Sequence, residues 1–233
     1  DIRAVQWFTN QSKDYEEYLK QGFGTALSFN QDGIFRGTGV LVALGDGPAQ
    51  DRVLKEDAVF AVSTDKGTSK QMYPSSLVGS IAVIRQAYMD AEWYAKSDKT
   101  EYKNPMFDAF NQFKKLPTIF ESFDKWDIVK LDKIGDENGV QYTFLGTGNE
   151  YQRAKEIKAT NANLILPLEY PKPYQITDAL DVEEAEIAEL KHWELAPHNA
   201  VLLSKEQIPF SLTLHKLKDK SSFLTKLREL NKN

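Results

Sequence analysis

The chain from residue 137 to residue 150 reads ENGVQYTFLGTGNE: a turn signal, a short apolar run, and a glycine-containing turn that opens into a polar stretch. This unit occurs four times between Leu116 and the end of the chain. The apolar runs are residues 118–120, 140–145, 162–166 and 209–214. Strands that return through a helix at intervals of about 25 to 45 residues have room for a crossover connection, so the pattern predicts parallel strands.

Three earlier apolar runs, residues 23–29, 37–44 and 58–62, predict further strands and bring the total to seven. Seven parallel strands are one fewer than a closed (β/α) barrel contains. We therefore expect an α/β fold, an incomplete TIM-like (β/α) barrel of about seven parallel strands with surrounding helices and a missing first strand. The alternative is an open doubly wound sheet. Residues 1–233 are expected to form a single domain, as a fragment of a longer protein.

The composition excludes several classes of partner. The chain has 233 residues, 41% of them hydrophobic, and its 29 Lys and Arg against 34 Asp and Glu give a net charge of −5. Nucleic acid is therefore not expected as a partner, and without a long apolar run neither is a membrane. Cysteine is absent from the sequence, which fits either a cytoplasmic or an extracytoplasmic soluble protein.

Three tracts resemble imidazolonepropionase-like amidohydrolases, which belong to the metal-dependent hydrolase superfamily. Residues 60–66 and 73–91 resemble the fourth strand of that family and the helix after it. Residues 140–154 resemble the sixth strand and its following helix, and residues 197–215 resemble the lead-in to the eighth strand and that strand itself. The resemblance spans nearly the whole chain and implies a barrel fold.

The family resemblance also implies a metal site, which the sequence does not reproduce. Amidohydrolases hold one or two divalent metals with His-x-His on the first strand, Lys or Glu on the fourth, His on the fifth and sixth, and Asp on the eighth. Here Thr64 stands at the fourth-strand position, Glu121 on the fifth strand, Thr147 on the sixth and His215 on the eighth, and no His-x-His occurs. We expect no metal ligand set and no cofactor in this chain.

The candidate site residues follow the predicted strands. Glu121 and His215 should face the same mouth of the barrel and are the candidate catalytic pair, although a solvated rim is the simpler interpretation. Arg36 would place its own positively charged guanidinium in this mouth. The alternative is that Arg36 packs against the protein or forms an ion pair. A second candidate is an anion-binding turn at the following residues: Gly146, Thr147, Gly148 and Asn149. The same glycines equally fit a tight strand-to-helix turn.

Three functions remain open from the sequence. The first is an amidohydrolase-related domain without its own metal-dependent activity, acting as a structural or binding part of a larger hydrolase. The second is an active hydrolase of C–N bonds completed by upstream residues, and the third is an anion- or nucleotide-binding module. The expected partners are the remaining part of the parent polypeptide or a second copy in a homodimer, and the apolar residues from Ile2 to Phe8 could instead cover the open side of the barrel.

Overall fold

A computed structural model describes residues 2–9, 12–98, 103–173, 178 and 186–231. These residues form one seven-stranded sheet in which the strands lie in chain order. The strands are β1 (Thr25–Ser28), β2 (Phe35–Ala43), β3 (Val53–Ser63), β4 (Thr118–Glu121), β5 (Tyr142–Leu145), β6 (Asn163–Pro167) and β7 (Phe210–Thr213). The helices are α1 (Ser12–Lys20), α2 (Leu77–Lys96), α3 (Pro105–Phe113), α4 (Asp127–Asn138), α5 (Ala154–Ala159), α6 (Ile187–Leu195), α7 (Asn199–Lys205) and α8 (Phe223–Leu230).

Strand direction differs from the sequence-based expectation at one strand. β3 to β7 are parallel, as predicted, but β2 pairs antiparallel with both β1 and β3. The expectation that all seven strands are parallel is therefore wrong for β2. The physical reason lies in its connections, residues 29–34 and 44–52, which are long enough for hairpins and too short for a helical crossover.

The outer face of the sheet carries the main hydrophobic core. Phe60, Phe120 and Phe144 are almost completely buried there, beneath helices that follow the strands. Phe110 of α3 makes edge-to-face contacts with Phe60 and Phe35, with ring centroids 5.7 and 5.2 Å apart. Aromatic pairs of this geometry add specific stabilisation to the area that they bury. Phe110 therefore lies on the face of α3 that docks on the sheet.

The inner face of the sheet surrounds a cavity. Leu27 of β1 and Leu212 of β7 belong to opposite ends of the strand order, yet both line this cavity. The sheet is therefore curled into a half-barrel, which confirms the incomplete (β/α) barrel and not the open doubly wound sheet. No helix in the described ranges is both long and apolar enough to span a bilayer.

The N-terminal segment is held against β2 beyond the end of β1. The N–H of Thr38 donates to the carbonyl of Ile2 at 3.0 Å, and Arg3 forms an ion pair with Asp57 of β3. Gly37, at φ +80°, makes room for this approach, since a Cβ there would collide with the carbonyl of Ile2. Trp7 lines the cavity but remains 77% exposed, so the segment borders the open side of the barrel and does not fill it.

Candidate functional site

Three charged side chains meet where the parallel strands end. The Glu121 carboxylate, at the last residue of β4, lies 2.7 Å from Nη1 of Arg36 and 2.9 Å from Nζ of Lys216. Arg36 and Glu121 are almost completely buried, whereas Lys216 is one-third exposed. We call these three residues the charge triad. A carboxylate buried between two cations is neutralised by the protein itself.

The reversed direction of β2 explains how Arg36 reaches this edge of the sheet. In the ladders, Phe35 pairs with Val62 and Ser63 pairs with Glu121, so the start of β2 is level with the ends of β3 and β4. A parallel β2 would have put Arg36 at the opposite edge. Its Nε donates to the carbonyl of Gly33 at 3.2 Å, and its Nη1 lies 2.7 Å from Oε2 of Glu121. The Arg36–Glu121 contact is therefore a buried ion pair.

The charge triad also sets the protonation of its neighbours. Burial favours the neutral form of Glu121, but the hydrogen bonds and charges of Lys216 and Arg36 outweigh it, so the pKa of Glu121 lies below its ordinary value. The pKa of His215 is lowered by its burial and by the charges of Lys216 and Arg36, which together exceed the attraction of Glu121. Glu121 is therefore ionised and His215 neutral near pH 7.

The predicted pair of Glu121 and His215 is thus brought to one edge of the sheet. Lys216, which follows His215 at the end of the predicted strand, also contacts Glu121 directly, with its backbone at φ +65°. The only sequence signal for it was its position directly after His215 at the end of β7. A catalytic role for Glu121 and His215 stays a prediction.

The candidate anion-binding turn, Gly146 to Asn149, contains an internal ligand. The carboxylate of Glu150 accepts hydrogen bonds from the N–H groups of Thr147, at 2.5 Å, and Gly148, at 3.1 Å. Asn199, at the start of α7, donates to the same carboxylate at 2.7 Å and accepts from the N–H of Tyr151 at 2.8 Å. An external anion would have to displace Glu150 from these amides. Anion binding at this turn stays a prediction, and the tight strand-to-helix turn accounts for the geometry.

The strand ends do not fit the divalent metal that the amidohydrolase resemblance implies. Thr64, buried after β3, and Thr147, after β5, offer hydroxyls instead of carboxylate or imidazole ligands. Glu121 is engaged by two cations, and His192 is bound elsewhere, with Nδ1 3.1 Å from the Tyr151 hydroxyl. Within the part of the chain that the structure describes, no group of three or more His, Asp or Glu residues could hold a metal ion.

The cavity next to the charge triad has a volume of about 880 Å³. Its walls come mainly from the inner face of the sheet, from α1 and from the N-terminal segment, and His215 lines it. Along β4, Ile119 lines the cavity and Glu121 follows two residues later, so both side chains lie on the same face of that strand. The cavity is therefore apolar along the strands, and His215 lines it while the three residues of the charge triad do not.

The curled sheet and the helices around it define an amidohydrolase-like fold. The chain superimposes on a crystal structure of an amidohydrolase from Thermotoga maritima MSB8 with a TM-score of 0.75 and 14% sequence identity. The match covers 99% of this chain and 61% of that one, so the chain spans less than two-thirds of the length of that amidohydrolase. No protein-family model matches the sequence, and neither does any curated protein. At this identity the likeness establishes the fold.

Proposed function

We propose that this chain is an amidohydrolase-related domain, nearest in its sequence tracts to imidazolonepropionase-like enzymes, that does not carry out metal-dependent hydrolysis with its own residues. It acts as a structural or binding part of a larger hydrolase. The observation that supports this proposal is the charge triad: Arg36 and Lys216 surround Glu121 at the strand ends, where the family resemblance implies a metal.

Electrostatics gives the physical reason. A divalent cation about 4 Å from a guanidinium or ammonium group would be repelled by about 8 kcal/mol at an effective dielectric constant of 20. Two such groups lie within 3 Å of the Glu121 carboxylate. A metal at Glu121 would have to expel at least one of them, and expelling Arg36 would disrupt a side chain that is 3% exposed. The triad therefore supplies the positive charge that a metal would otherwise supply.

Metal analysis of the purified protein tests this proposal. The protein is incubated with zinc, dialysed, and its zinc content is measured per chain, beside the His215→Ala and His192→Ala variants. We expect far less than one zinc per chain in all three proteins. Stoichiometric zinc that survives dialysis in the wild type and is lost in His215→Ala would overturn the proposal, since it would identify a metal site at the strand ends.

The two other functions have their own tests. An active hydrolase completed by upstream residues predicts C–N bond cleavage and retained metal in a longer parent polypeptide, but neither in this chain alone. A nucleotide- or anion-binding module at Gly146 to Asn149 predicts a rise in melting temperature with millimolar nucleotide; the internal bonds of Glu150 argue against it. Association with the parent polypeptide or as a homodimer remains a proposal, and a concentration-dependent mass in light scattering would support the dimer.

A further inference from the structure

The outward face of α2 carries apolar side chains where a surface helix ordinarily carries polar ones. Successive residues of a helix are rotated by about 100°, so α2 turns Ile84 and Tyr88 into the core and directs its opposite side to solvent. On that opposite side lie Val78, Met89 and Trp93, which are 76%, 63% and 66% exposed. A helix that is apolar on all sides is ordinarily buried on all sides. The outward face of α2 therefore has the composition of a contact surface.

The apolar face continues beyond the N-terminus of α2. The ring of Tyr73 is 57% exposed and lies against Gly79, and its hydroxyl donates to the carbonyl of Gly79 at 3.2 Å. Ala82, which is also exposed, falls between the two halves of the face. We define the α2 stripe as the following five side chains: Tyr73, Val78, Ala82, Met89 and Trp93.

The methionines of the chain add to this surface. The sequence contains three methionines, and all of them are exposed. Met72 directly precedes Tyr73, Met89 belongs to the stripe, and Met106 opens α3, the helix that packs beside α2. Methionine and aromatic residues are enriched where proteins bind other proteins, because their side chains adapt to a partner and bury much apolar area. The composition of this surface therefore favours a protein as its partner.

A second copy of α2 fits the stripe when the two helices run antiparallel. The N-terminal half of the helix presents the smaller side chains, Val78 and Ala82, and the C-terminal half presents the larger ones, Met89 and Trp93. The pairs 82 with 89 and 78 with 93 share one midpoint, which lies beside Gln86. A two-fold axis at this midpoint places each half against the other half of the second copy. Small side chains then meet large ones, as close packing requires.

The charges beside the midpoint are also complementary. Arg85, at the edge of the stripe, pairs with Glu137 of α4 at 2.6 Å, and both side chains are nearly half exposed. The two-fold axis brings this ion pair next to the same ion pair of the second copy, so that each guanidinium meets the carboxylates of both copies. Gln86 is uncharged, and its side-chain amide donates to Asp90 at 2.6 Å. The Arg85–Glu137 pairs therefore favour the approach of a second copy.

From the self-complementary α2 stripe and the ion pair at its midpoint, we infer that the chain forms a two-fold homodimer through antiparallel contact of its α2 helices. Two such faces bury about 1,000 Å², which is the lower limit for a specific interface, so the dimer is weak, with a dissociation constant in the micromolar range. No residue of α2 lines the cavity. The inference specifies a surface for the homodimer considered above, and it does not depend on the outcome of the metal analysis.

Sedimentation velocity of the full chain between about 1 and 300 µM measures the dimer. We expect the mean mass to rise with concentration from that of one chain towards that of two. Met89→Glu and Trp93→Glu change exposed positions, so they should leave the melting temperature of the dilute protein unchanged while they weaken the dimer at least about tenfold. A chain that stays monomeric at the highest concentration, or a dimer that withstands both substitutions, would overturn the inference.

The matched control is a second exposed tryptophan. Trp7 is 77% exposed and lines the cavity at the open side of the barrel, away from α2. Trp7→Glu should leave the dissociation constant of the dimer unchanged. A dimer that Trp7→Glu dissociates and Trp93→Glu does not would place the interface at the open side of the barrel and would overturn the inference.

Disulfide trapping tests the two-fold axis, because the chain has no cysteine of its own. Gln86→Cys places a thiol at the midpoint, next to the thiol of the second copy. Lys96→Cys places it at the end of α2, where the antiparallel arrangement separates the two thiols by about 30 Å. With diamide as the oxidant, we expect a disulfide-linked dimer from Gln86→Cys and very little from Lys96→Cys. Equal cross-linking of the two variants would overturn the antiparallel contact and the inference with it.

Discussion

Arg36 at the start of β2 and Glu121 at the end of β4 form an ion pair across the strand that separates them. Nη1 and Oε2 lie 2.7 Å apart, with 3% and 8% of the two side chains exposed. The pair links two strands that share no backbone hydrogen bonds, because β3 lies between them. The ion pair therefore ties the antiparallel part of the sheet to its parallel part at the mouth of the half-barrel.

We predict that Glu121→Gln lowers the free energy of unfolding by about 3 kcal/mol, since it leaves the Arg36 guanidinium buried without its counter-charge. Urea unfolding followed by circular dichroism measures this loss as a lower midpoint at an unchanged slope. The matched control is Glu137→Gln. Glu137 pairs with Arg85 at 2.6 Å, but both side chains are nearly half exposed. The Glu137→Gln substitution should therefore lower the free energy of unfolding by no more than about 1 kcal/mol. Equal losses in the two variants would contradict the buried character of the Glu121 pair.

The lowered pKa of Glu121 predicts a pH dependence of this stabilisation. Burial opposes its ionisation, but Lys216 and Arg36 keep the folded-state pKa below the unfolded value. The stabilisation by ionised Glu121 is therefore fully present above the pKa that Glu121 has in the unfolded state. It is lost as pH falls through the pKa that Glu121 has in the folded state. The stability difference between wild type and Glu121→Gln should be constant above about pH 5 and should shrink below about pH 4. A stability difference between wild type and Glu121→Gln that grows on acidification would contradict a lowered pKa of Glu121 in the folded state.

The positions of the strands were predictable because each is a run of apolar residues between turn signals. All seven predicted runs overlap the observed strands. The direction of β2 was not predictable from apolar runs alone, since alternation of side chains is the same in either direction. The decisive feature was the length of its connections.

The site was predictable only in part. Glu121 and His215 could be placed at one edge because the carboxyl ends of parallel strands lie together. The charge triad could not be predicted, because Arg36 reaches Glu121 only when β2 is reversed. Lys216 contacts Glu121 from a backbone conformation with positive φ, which the sequence does not indicate. The bonds from Glu150 to the Gly146 turn depend on side-chain geometry and on Asn199, far along the chain.

We predict that Glu150→Ala destabilises the fold by about 2 to 4 kcal/mol, because it leaves the N–H groups of Thr147 and Gly148 and the side chain of Asn199 without their acceptor. Chemical denaturation measures the loss. Glu156→Ala serves as the control: Glu156 is 42% exposed and pairs with Arg153 at 3.5 Å, so its removal should change stability by less than about 0.5 kcal/mol. A small effect of Glu150→Ala would mean that water can replace its carboxylate.

Two glycines test the attachment of the N-terminal segment. Gly37 and Gly22 both have positive φ, +80° and +89°, but a Cβ at Gly37 would collide with Ile2, while one at Gly22 would meet open space. Gly22→Ala should cost about 1 to 2 kcal/mol from backbone strain alone. Gly37→Ala should cost more and should release residues 2–9, detected as faster proteolysis near the N-terminus. Equal costs and unchanged proteolysis would contradict a structural role for the Ile2–Thr38 hydrogen bond.

We predict that replacing the buried Asp132 of α4 by Asn stabilises the protein. Its side chain is buried, and burial, with a smaller effect from the charge of Asp136, raises its pKa from 3.8 to about 6. A raised acid pKa means that the folded state binds more protons between these values, so stability falls as pH rises through this window and stays low above it. Asp132→Asn, which cannot ionise, should therefore be more stable than wild type at about pH 8 by up to about 3 kcal/mol, and nearly equal to it at about pH 4. Thermal and urea unfolding at both pH values measure this difference.

Asp136→Asn should give a smaller gain of stability in the same direction, since it removes only the charge of Asp136, the lesser cause of the raised pKa. A gain from Asp132→Asn that does not vary with pH would exclude the ionisation of Asp132 as its origin.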